Sequence, residues 1–269
     1  MIEKLKELYK YRQLVFTLVS RELKARYRGT VFGFLWSFLN PLLLMIVYSI
    51  VFGIIMPARW PQFEGKTIYY SIFLFTGILP WTWFSSSMLE SANVLIIYGN
   101  LIKKIKFPIE VLPIMVVITN MVHFALGLPI LVLFYIVFAK SLTGWVFFLP
   151  VAMFIQFIFT MGFGFFISAL TVHFRDIKDI LSNLMTLWFF STPIIYPFDS
   201  PHVLGRPLIK LLLWLNPMTH IVEAYQYAFY YGTLPHWKKL SVTIVVGLLL
   251  FYFGYKIFDR LRDTVVEEV

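Results

Sequence analysis

The chain has 269 residues, of which 59% are apolar, 19% aromatic and only 14% charged, and its mean hydropathy is +0.79. Soluble domains carry about 25% charged residues, so the charges here are too few to cover a water-facing surface of this size. This composition excludes a soluble enzyme, a nucleic-acid-binding domain and a disordered chain. The net charge of +9 is therefore interpreted as membrane topology, and the absence of cysteine excludes disulfides and thiol chemistry.

The six longest stretches without a charged residue contain between 16 and 34 residues each. A bilayer core of about 30 Å is crossed by about 20 helical residues. The shortest stretch reaches this length when Lys256 extends its charge to the interface. The sequence therefore predicts an all-α integral membrane protein with six transmembrane helices, at about 30–56, 67–97, 109–139, 145–172, 179–198 and 239–258.

Lysine and arginine are distributed unequally between the two sides of these six predicted spans. Sixteen of them fall on the side that carries both termini, and seven fall on the other side. Because cytoplasmic segments of membrane proteins carry the excess of basic residues, we expect both termini of this multi-pass chain in the cytoplasm.

Residues 1–28 place apolar side chains at helical spacing between charged ones, with Leu14, Leu18 and Leu23 among them. This pattern favours an amphipathic helix in the cytoplasmic membrane interface. A solvated, positively charged leader is the alternative. The predicted organisation is this interface helix, followed by one transmembrane domain at 29–269.

The loop at 98–108 mixes four apolar residues with three lysines over about two helical turns, before Pro108 limits further helix. A short helix that rests on the membrane, or in a groove of a cytoplasmic partner, would use such apolar residues. The alternative is a loop whose lysines only fix the topology.

The segment 199–238 contains four prolines and two apolar pieces, at 208–215 and 218–232, separated by Asn216-Pro217. At 1.5 Å per residue the pieces measure about 12 and 22 Å, too short to cross a membrane. We expect two short re-entrant helices on the external side. An ordinary external loop with interfacial tyrosine and tryptophan is the alternative.

The spans carry almost no residue able to couple transport to ions. Glu90 lies toward the cytoplasmic end of the second span, and His123 in the third is expected to bond another helix. Gly65-Lys66-Thr67 resembles the end of a phosphate-binding loop, but Trp60 stands where the motif needs glycine. The sequence shows neither a metal-ligand cluster nor a set of catalytic residues, so the energy for the function of this chain must come from another component.

Several motifs carry a family resemblance, and they follow in order along almost the whole chain, at 21–41, 76–84, 106–113, 174–177, 192–196 and 216–217. The first reads Arg-Glu-Leu-Lys-Ala-Arg-Tyr-Arg-Gly-Thr-Val-Phe-Gly-Phe-Leu-Trp-Ser-Phe-Leu-Asn-Pro. Together they resemble the ABC-2 type permeases that export polysaccharides. The group of O-antigen exporter permeases, the Wzm type, is the most similar, and teichoic acid and capsule permeases are near relatives.

The resemblance implies a six-span half-transporter in the bacterial inner membrane. Such a permease forms a homodimer and pairs with two copies of a separate ABC ATPase, which binds ATP and Mg²⁺, while the permease itself holds no cofactor. ATP hydrolysis then drives export of a polysaccharide linked to a polyprenyl diphosphate lipid, as in lipopolysaccharide biosynthesis. Partners are thus the second copy, the ATPase, the lipid-linked glycan and membrane lipids, but not nucleic acid.

The resemblance and the residue chemistry together suggest four groups of site residues. An aromatic pathway for sugar faces would use Trp36, Phe38, Trp81, Trp83, Phe84, Phe189, Phe190 and Tyr196. Coupling to the ATPase would use Arg21, Glu22, Lys24, Arg26, Tyr27, Arg28, Leu101, Ile102, Lys103, Lys104, Ile105 and Lys106, and the apolar members of the loop would seat in a groove of the ATPase. Arg12, Arg21 and Arg28 are candidates for the lipid diphosphate, and Asn216, Pro217, Glu223 and Tyr225 for an external gate.

Three other functions stay open on sequence grounds. An ABC-2 permease for a small drug or plain lipid differs from a glycan exporter only by the motif set. A membrane enzyme of lipid or glycan chemistry lacks a catalytic cluster, and an ion-coupled carrier lacks charged spans.

Overall fold

The computed structural model describes residues 9–51, 55, 67–105, 107–139, 144–174 and 176–268, and every regular element within these ranges is helical. The prediction of an all-α chain is therefore confirmed. In chain order the α-helices are α1 (Arg12–Tyr27), α2 (Trp36–Ile50), α3 (Thr67–Ile97), α4 (Gly99–Lys104), α5 (Val111–Ala139), α6 (Leu149–His173), α7 (Ile177–Phe190), α8 (Pro201–Leu204), α9 (Pro207–Leu215), α10 (Pro217–Gln226) and α11 (Trp237–Glu268).

Five described stretches are long and apolar enough to cross a membrane: Gly33–Ile50, Tyr69–Ile97, Val111–Val137, Gly144–His173 and Trp237–Arg262. They correspond to the first, second, third, fourth and sixth predicted spans. Residues 52–54 and 56, at the end of the first predicted span, lie outside the described residues. The structure thus supports a membrane protein with several spanning helices.

The fifth predicted span, a helix over 179–198, is wrong beyond Phe190, where α7 ends. Its 14 residues measure about 21 Å, which is less than the bilayer core of about 30 Å. Pro193 and Pro197 explain the early end, because proline lacks the N–H that a continuing helix needs.

The chain nevertheless continues beside α3 after α7 ends. The Trp188 ring lies 6.4 Å from that of Trp81, near the middle of α3. Further on, the Tyr70 hydroxyl, close to the start of α3, donates a 2.7 Å hydrogen bond to the carbonyl of Ile195. Residues 191–195 therefore follow α3 toward its first turn without being helical.

Helix α3 is the centre of the bundle, since 78% of its candidate span is buried, against 11% for that of α2. It packs against α5 and α6, and α6 in turn packs along most of α11. The α6–α11 contact is a close approach of two backbones. A Cβ on Gly254 would lie only 2.2 Å from the carbonyl oxygen of Gly162, so this crossing requires glycine.

The bundle has two ends, which we name by what lies there. At the α1 end, α1 and α4 pack with the end of α3, the start of α5 and the end of α6 around a buried apolar cluster. At the hairpin end, the start of α3 and the end of α5 lie near the hairpin that contains α8, α9 and α10. A larger aromatic-rich cluster fills the bundle on the hairpin side.

The N-terminal segment is helical where it is described, although residues 1–8 lie outside that part. Leu18 and Val19 of α1 are buried against the bundle, whereas Phe16 on another face is 76% exposed. Helix α1 ends at Tyr27, and Gly29 follows in the left-handed conformation with φ 78°. Such a residue after a helix end is commonly glycine, and it turns the chain toward α2.

Candidate functional site

Helix α1 is fastened to the bundle by polar contacts as well as by apolar packing. The Tyr98 hydroxyl, just beyond α3, donates a 2.9 Å hydrogen bond to Oε2 of Glu22. Burial and this bond to the carboxylate raise the pKa of Tyr98 to about 12, so the phenol stays protonated and keeps donating at neutral pH. Glu22 therefore anchors α1 to the turn that leads into α4.

Two further contacts hold the last turn of α1. Arg26 Nη2 lies 2.6 Å from Oε1 of Glu90 on α3, whose other oxygen accepts a 2.8 Å bond from Asn120 on α5. The Tyr27 hydroxyl lies 3.2 Å from Nδ1 of His123, also on α5. Together these contacts join α1 to two spans, and His123 bonds another helix, as expected from the sequence.

Helix α4 presents its lysines outward. Lys103, Lys104 and Ile105 are exposed, while Leu101 is half-buried and Lys106 lies outside the described residues. Ile102 is 7% exposed and packs into the apolar cluster of the α1 end, so it is not available to an ATPase groove in this structure. The expectation that the apolar residues of this loop seat in a groove of the ATPase stays a prediction, and the bundle covers Ile102 in this structure.

The arginines expected near a lipid diphosphate lie along α1 and just beyond it, and Arg12, Arg21 and Arg28 are all exposed. Arg12 folds over the ring of Tyr9, 4.5 Å from its centre, and donates to the Tyr9 carbonyl at 3.1 Å. Lys24 is exposed on the same helix. The structure thus leaves a basic, accessible surface at the α1 end.

The eight aromatic residues expected along a pathway divide into two groups. Trp81, Trp83 and Phe84 are 6%, 2% and 0% exposed and belong to the main core. Their role along a pathway stays a prediction. The accessible group is Trp36, Phe38, Phe189, Phe190 and Tyr196, of which Phe190 is 61% exposed.

The two helices predicted within 199–238 are present as α9 and α10, and they meet at Asn216. The Asn216 oxygen accepts bonds from Nε1 of Trp188 at 2.8 Å and from the Met218 amide at 3.0 Å. Its nitrogen donates to the Ser191 carbonyl and the Thr192 hydroxyl, both at 3.0 Å. The tip of this helical hairpin is thereby fixed at the end of α7, and Pro217 begins α10.

A buried charged cluster lies where α10 meets the start of α11. Glu223 is 5% exposed, and Lys239 Nζ lies 3.1 Å from its Oε2 and 3.2 Å from its Oε1. His220 donates through Nε2 to the Trp214 carbonyl at 2.8 Å, which leaves its Nδ1 3.7 Å from Glu223 Oε2. Tyr225, fully enclosed, packs edge-on against Phe124 at 5.5 Å.

Sequence reasoning missed several polar partners. Asn120, Trp188 and Lys239 had no assigned contacts, although the single acidic residue in the second span was a signal that Glu90 needed a partner. Glu110, 3% exposed at the start of α5, pairs with Arg262 near the end of α11 at 3.3 Å. Within the described residues, no group of three or more metal-binding side chains is found.

The fold and these contacts define a helical membrane protein with several candidate spans, a basic surface at one end and a helical hairpin toward the other. A family model described as ABC-2 type transporter matches residues 13–230. The chain belongs to the ABC-2 type transporter family, and the resemblance drawn from its motifs is confirmed.

Relatives of this chain share most or all of its length. It is 39% identical over 269 residues to the O-antigen export system permease protein RfbA of Myxococcus xanthus, covering 100% of both chains. It is 31% identical over 250 residues to a protein of the same name from Klebsiella pneumoniae, covering 93% of this chain and 92% of that one. It is also 25% identical over 254 residues to the capsule polysaccharide export inner-membrane protein BexB of Haemophilus influenzae, covering 90% and 88%.

Proposed function

We propose that this chain is the transmembrane subunit of an ATP-driven exporter that moves a polyprenyl-diphosphate-linked polysaccharide, an O antigen or a similar glycan, across the bacterial inner membrane. The observation that carries the proposal is the end-to-end similarity to the Myxococcus permease, 39% over all 269 residues. Because the similarity extends over the full length and is not limited to one segment, the spans, the hairpin and both ends of this chain all align with the Myxococcus permease.

The proposed topology has six crossings with both termini in the cytoplasm. The fifth crossing in chain order consists of α7 and the turns after it, since α7 starts at the α1 end and residues 191–195 continue along α3 toward the hairpin end. Non-helical backbone at membrane depth must be buried or hydrated, and Thr192 and Ile194 are 1% and 0% exposed. The excess of basic residues then places the α1 end in the cytoplasm.

In this topology the helical hairpin of α9 and α10 is re-entrant. Asn216 at its tip bonds Trp188, whose ring packs against Trp81 in the middle of α3. The hairpin therefore reaches well below the first turn of α3. We assign it the role of an external gate, with the Glu223–Lys239 pair as its fixed base.

Coupling to ATP hydrolysis is assigned to α1 and α4. Two copies of this chain would pair with two copies of an ABC ATPase, and ATP and Mg²⁺ would bind there. The exposed Lys103, Lys104 and Ile105 of the loop would contact that subunit. Movement of α4 would reach the bundle through Ile102, and movement of α1 would reach it through Glu22, Arg26 and Tyr27.

The substrate contacts are assigned to the accessible residues. Aromatic rings stack on the apolar faces of sugars without selecting one sugar sequence, which suits Trp36, Phe38, Phe189, Phe190 and Tyr196 as surfaces along which a glycan slides. Exposed Arg12, Arg21 and Arg28 would meet the lipid diphosphate at the cytoplasmic face.

The test is reconstitution of the permease with its ATPase in liposomes, with ATP-dependent movement of the lipid-linked glycan as the readout. We expect movement for the native chain and its loss for Lys103→Glu/Lys104→Glu, together with loss of ATPase association. The control is Lys238→Glu, which reverses an exposed charge at the start of α11, away from the α1 end and outside the hairpin, and should keep both activities. Translocation of small lipids with no movement of the glycan would refute the proposal.

A further inference from the structure

A cavity of about 440 Å³ lies between α2, α3 and α5, and the last turn of α1 closes one side of it. This volume is within the range of about 300–1,000 Å³ found for small-molecule sites. The cavity is formed by one copy of the chain. Of the five accessible aromatic residues assigned to the pathway, only Trp36 lines it. Its position is between the middle of the bundle and the α1 end.

Two polar atoms at this cavity have no hydrogen-bond partner within the described part of the chain. They are the hydroxyl of Ser37, a residue only 3% exposed, and Nε2 of His123, whose Nδ1 is already engaged by Tyr27. Leaving a buried polar group unpaired costs about 1–3 kcal/mol, so native proteins rarely keep one without reason. A ligand with hydroxyl groups in the cavity would pair both atoms.

Aromatic rings form the apolar part of the wall. Trp83 and Phe124 lie side by side with ring centres 5.3 Å apart, and Trp36 lines the cavity from α2. The indole nitrogen of Trp83 is already bonded to the Val117 carbonyl at 3.2 Å, so this residue offers only its ring. Polar atoms beside aromatic surface suit a sugar, which has both hydroxyl groups and apolar C–H faces.

The charges at the cavity disfavour a phosphate. Arg26 is the one cation among its lining residues in the described chain, and Glu90 already neutralises it at 2.6 Å. A phosphate approaching Arg26 would also meet that carboxylate. A neutral hydroxylated ligand meets no such repulsion.

We propose that this cavity binds a sugar residue of the transported glycan, a site within each subunit that is additional to the sliding surface. The proposal rests on the proposed function, because it takes the glycan as the substrate. Tyr27 and Arg26 form part of the wall, so an occupied cavity would also hold α1 in its docked position.

The test uses the complex with its ATPase in lipid nanodiscs. The probe is the water-soluble glycan released by mild acid from the lipid-linked polysaccharide of the same cells, and binding is followed by saturation-transfer NMR. We expect Ser37→Met, whose longer side chain takes up part of the cavity and removes the hydroxyl, to raise the half-saturating concentration at least about tenfold. Ser37→Ala, which removes one hydrogen bond of about 0.5–1.5 kcal/mol, should raise it about two- to tenfold and keep the fold.

Ser87→Ala is the matched control, since Ser87 is also fully buried with an unpartnered hydroxyl but does not line the cavity. Its binding should equal that of the native chain. Equal glycan binding by the native chain and both Ser37 variants, no saturable binding at all, or competition by inorganic pyrophosphate would each overturn the sugar site. Glycan export in liposomes distinguishes the two proposals: if export proceeds while the sugar site fails, the proposed function stands.

Discussion

Asn216→Ala is the substitution that best tests how the hairpin is held. The native side chain makes four hydrogen bonds, accepting from Trp188 and the Met218 amide and donating to Ser191 and Thr192. At the other end of α10, Gln226 adds one bond to the same segment, from its Nε2 to the Pro193 carbonyl at 3.0 Å. Alanine removes all four bonds and leaves the indole N–H and the α10 amide without these acceptors.

The expected decrease in the free energy of unfolding has two contributions. Removing a helix N-cap costs about 0.5–2 kcal/mol, and each buried donor left unpaired costs about 1–3 kcal/mol. Because part of the site is half-exposed, we expect a total of about 2–4 kcal/mol. At about 2–4 °C per kcal/mol for a chain of this size, the melting temperature should fall by about 5–15 °C.

The assay is thermal unfolding of the purified protein in detergent, followed by tryptophan fluorescence. Asn216→Ser keeps a cap for the Met218 amide but cannot reach Trp188, so its melting temperature should lie between those of the native chain and the alanine variant. Asn183→Ala is the control, because Asn183 is exposed and bonds only a carbonyl of its own helix. An Asn216→Ala variant that melts within about 1 °C of the native chain would refute this account.

Two further predictions are checked by the yield of folded protein and by the same melting assay, respectively. Gly254→Ala should strongly reduce the yield of folded protein, because its Cβ would lie 2.2 Å from the Gly162 carbonyl oxygen. Gly247→Ala is the control and should be tolerated, since the nearest atom to its Cβ would lie 3.6 Å away. Equal yields of the two variants would show that the α6–α11 crossing is not close. Lys239→Met should destabilise by about 3–5 kcal/mol, because buried Glu223 loses both of its hydrogen bonds and keeps only His220, 3.7 Å away. The double variant Glu223→Gln/Lys239→Met should recover much of that loss, and no recovery would mean that the lysine acts through packing.

Much of the fold was predictable from the placement of charges. Five of six predicted spans coincide with long helices, because a helix that crosses lipid must exclude charge over about 20 residues. The break between α9 and α10 was equally visible, since Asn216-Pro217 both ends one helix and caps the next. The prediction of a helix is wrong at 191–198, because Pro193 and Pro197 prevent a helix in this uncharged stretch.

The residue types of the candidate site were predictable from the sequence, but the exposure of each side chain was not. Residue type and motif placed the basic residues of α1 and the lysines of α4, and these are exposed. Composition could not divide the aromatic residues, since Phe84 in the core and Phe190 at the surface have the same chemistry. Which face a side chain occupies depends on neighbouring helices, so Trp81, Trp83 and Ile102 could be assigned only after the helices were packed.

The sequence by itself determined that this chain is a helical membrane protein with nearly charge-free spans, because each of these properties depends only on local composition and on the cost of charge in lipid. The tertiary structure alone decided which polar groups meet. Arg26 and Glu90 are 64 positions apart, and Tyr27 and His123 are 96 apart, yet each pair makes a hydrogen bond. Such pairs, and the cavity that they border, arise from the packing of α1 on α3 and α5, which no local pattern encodes.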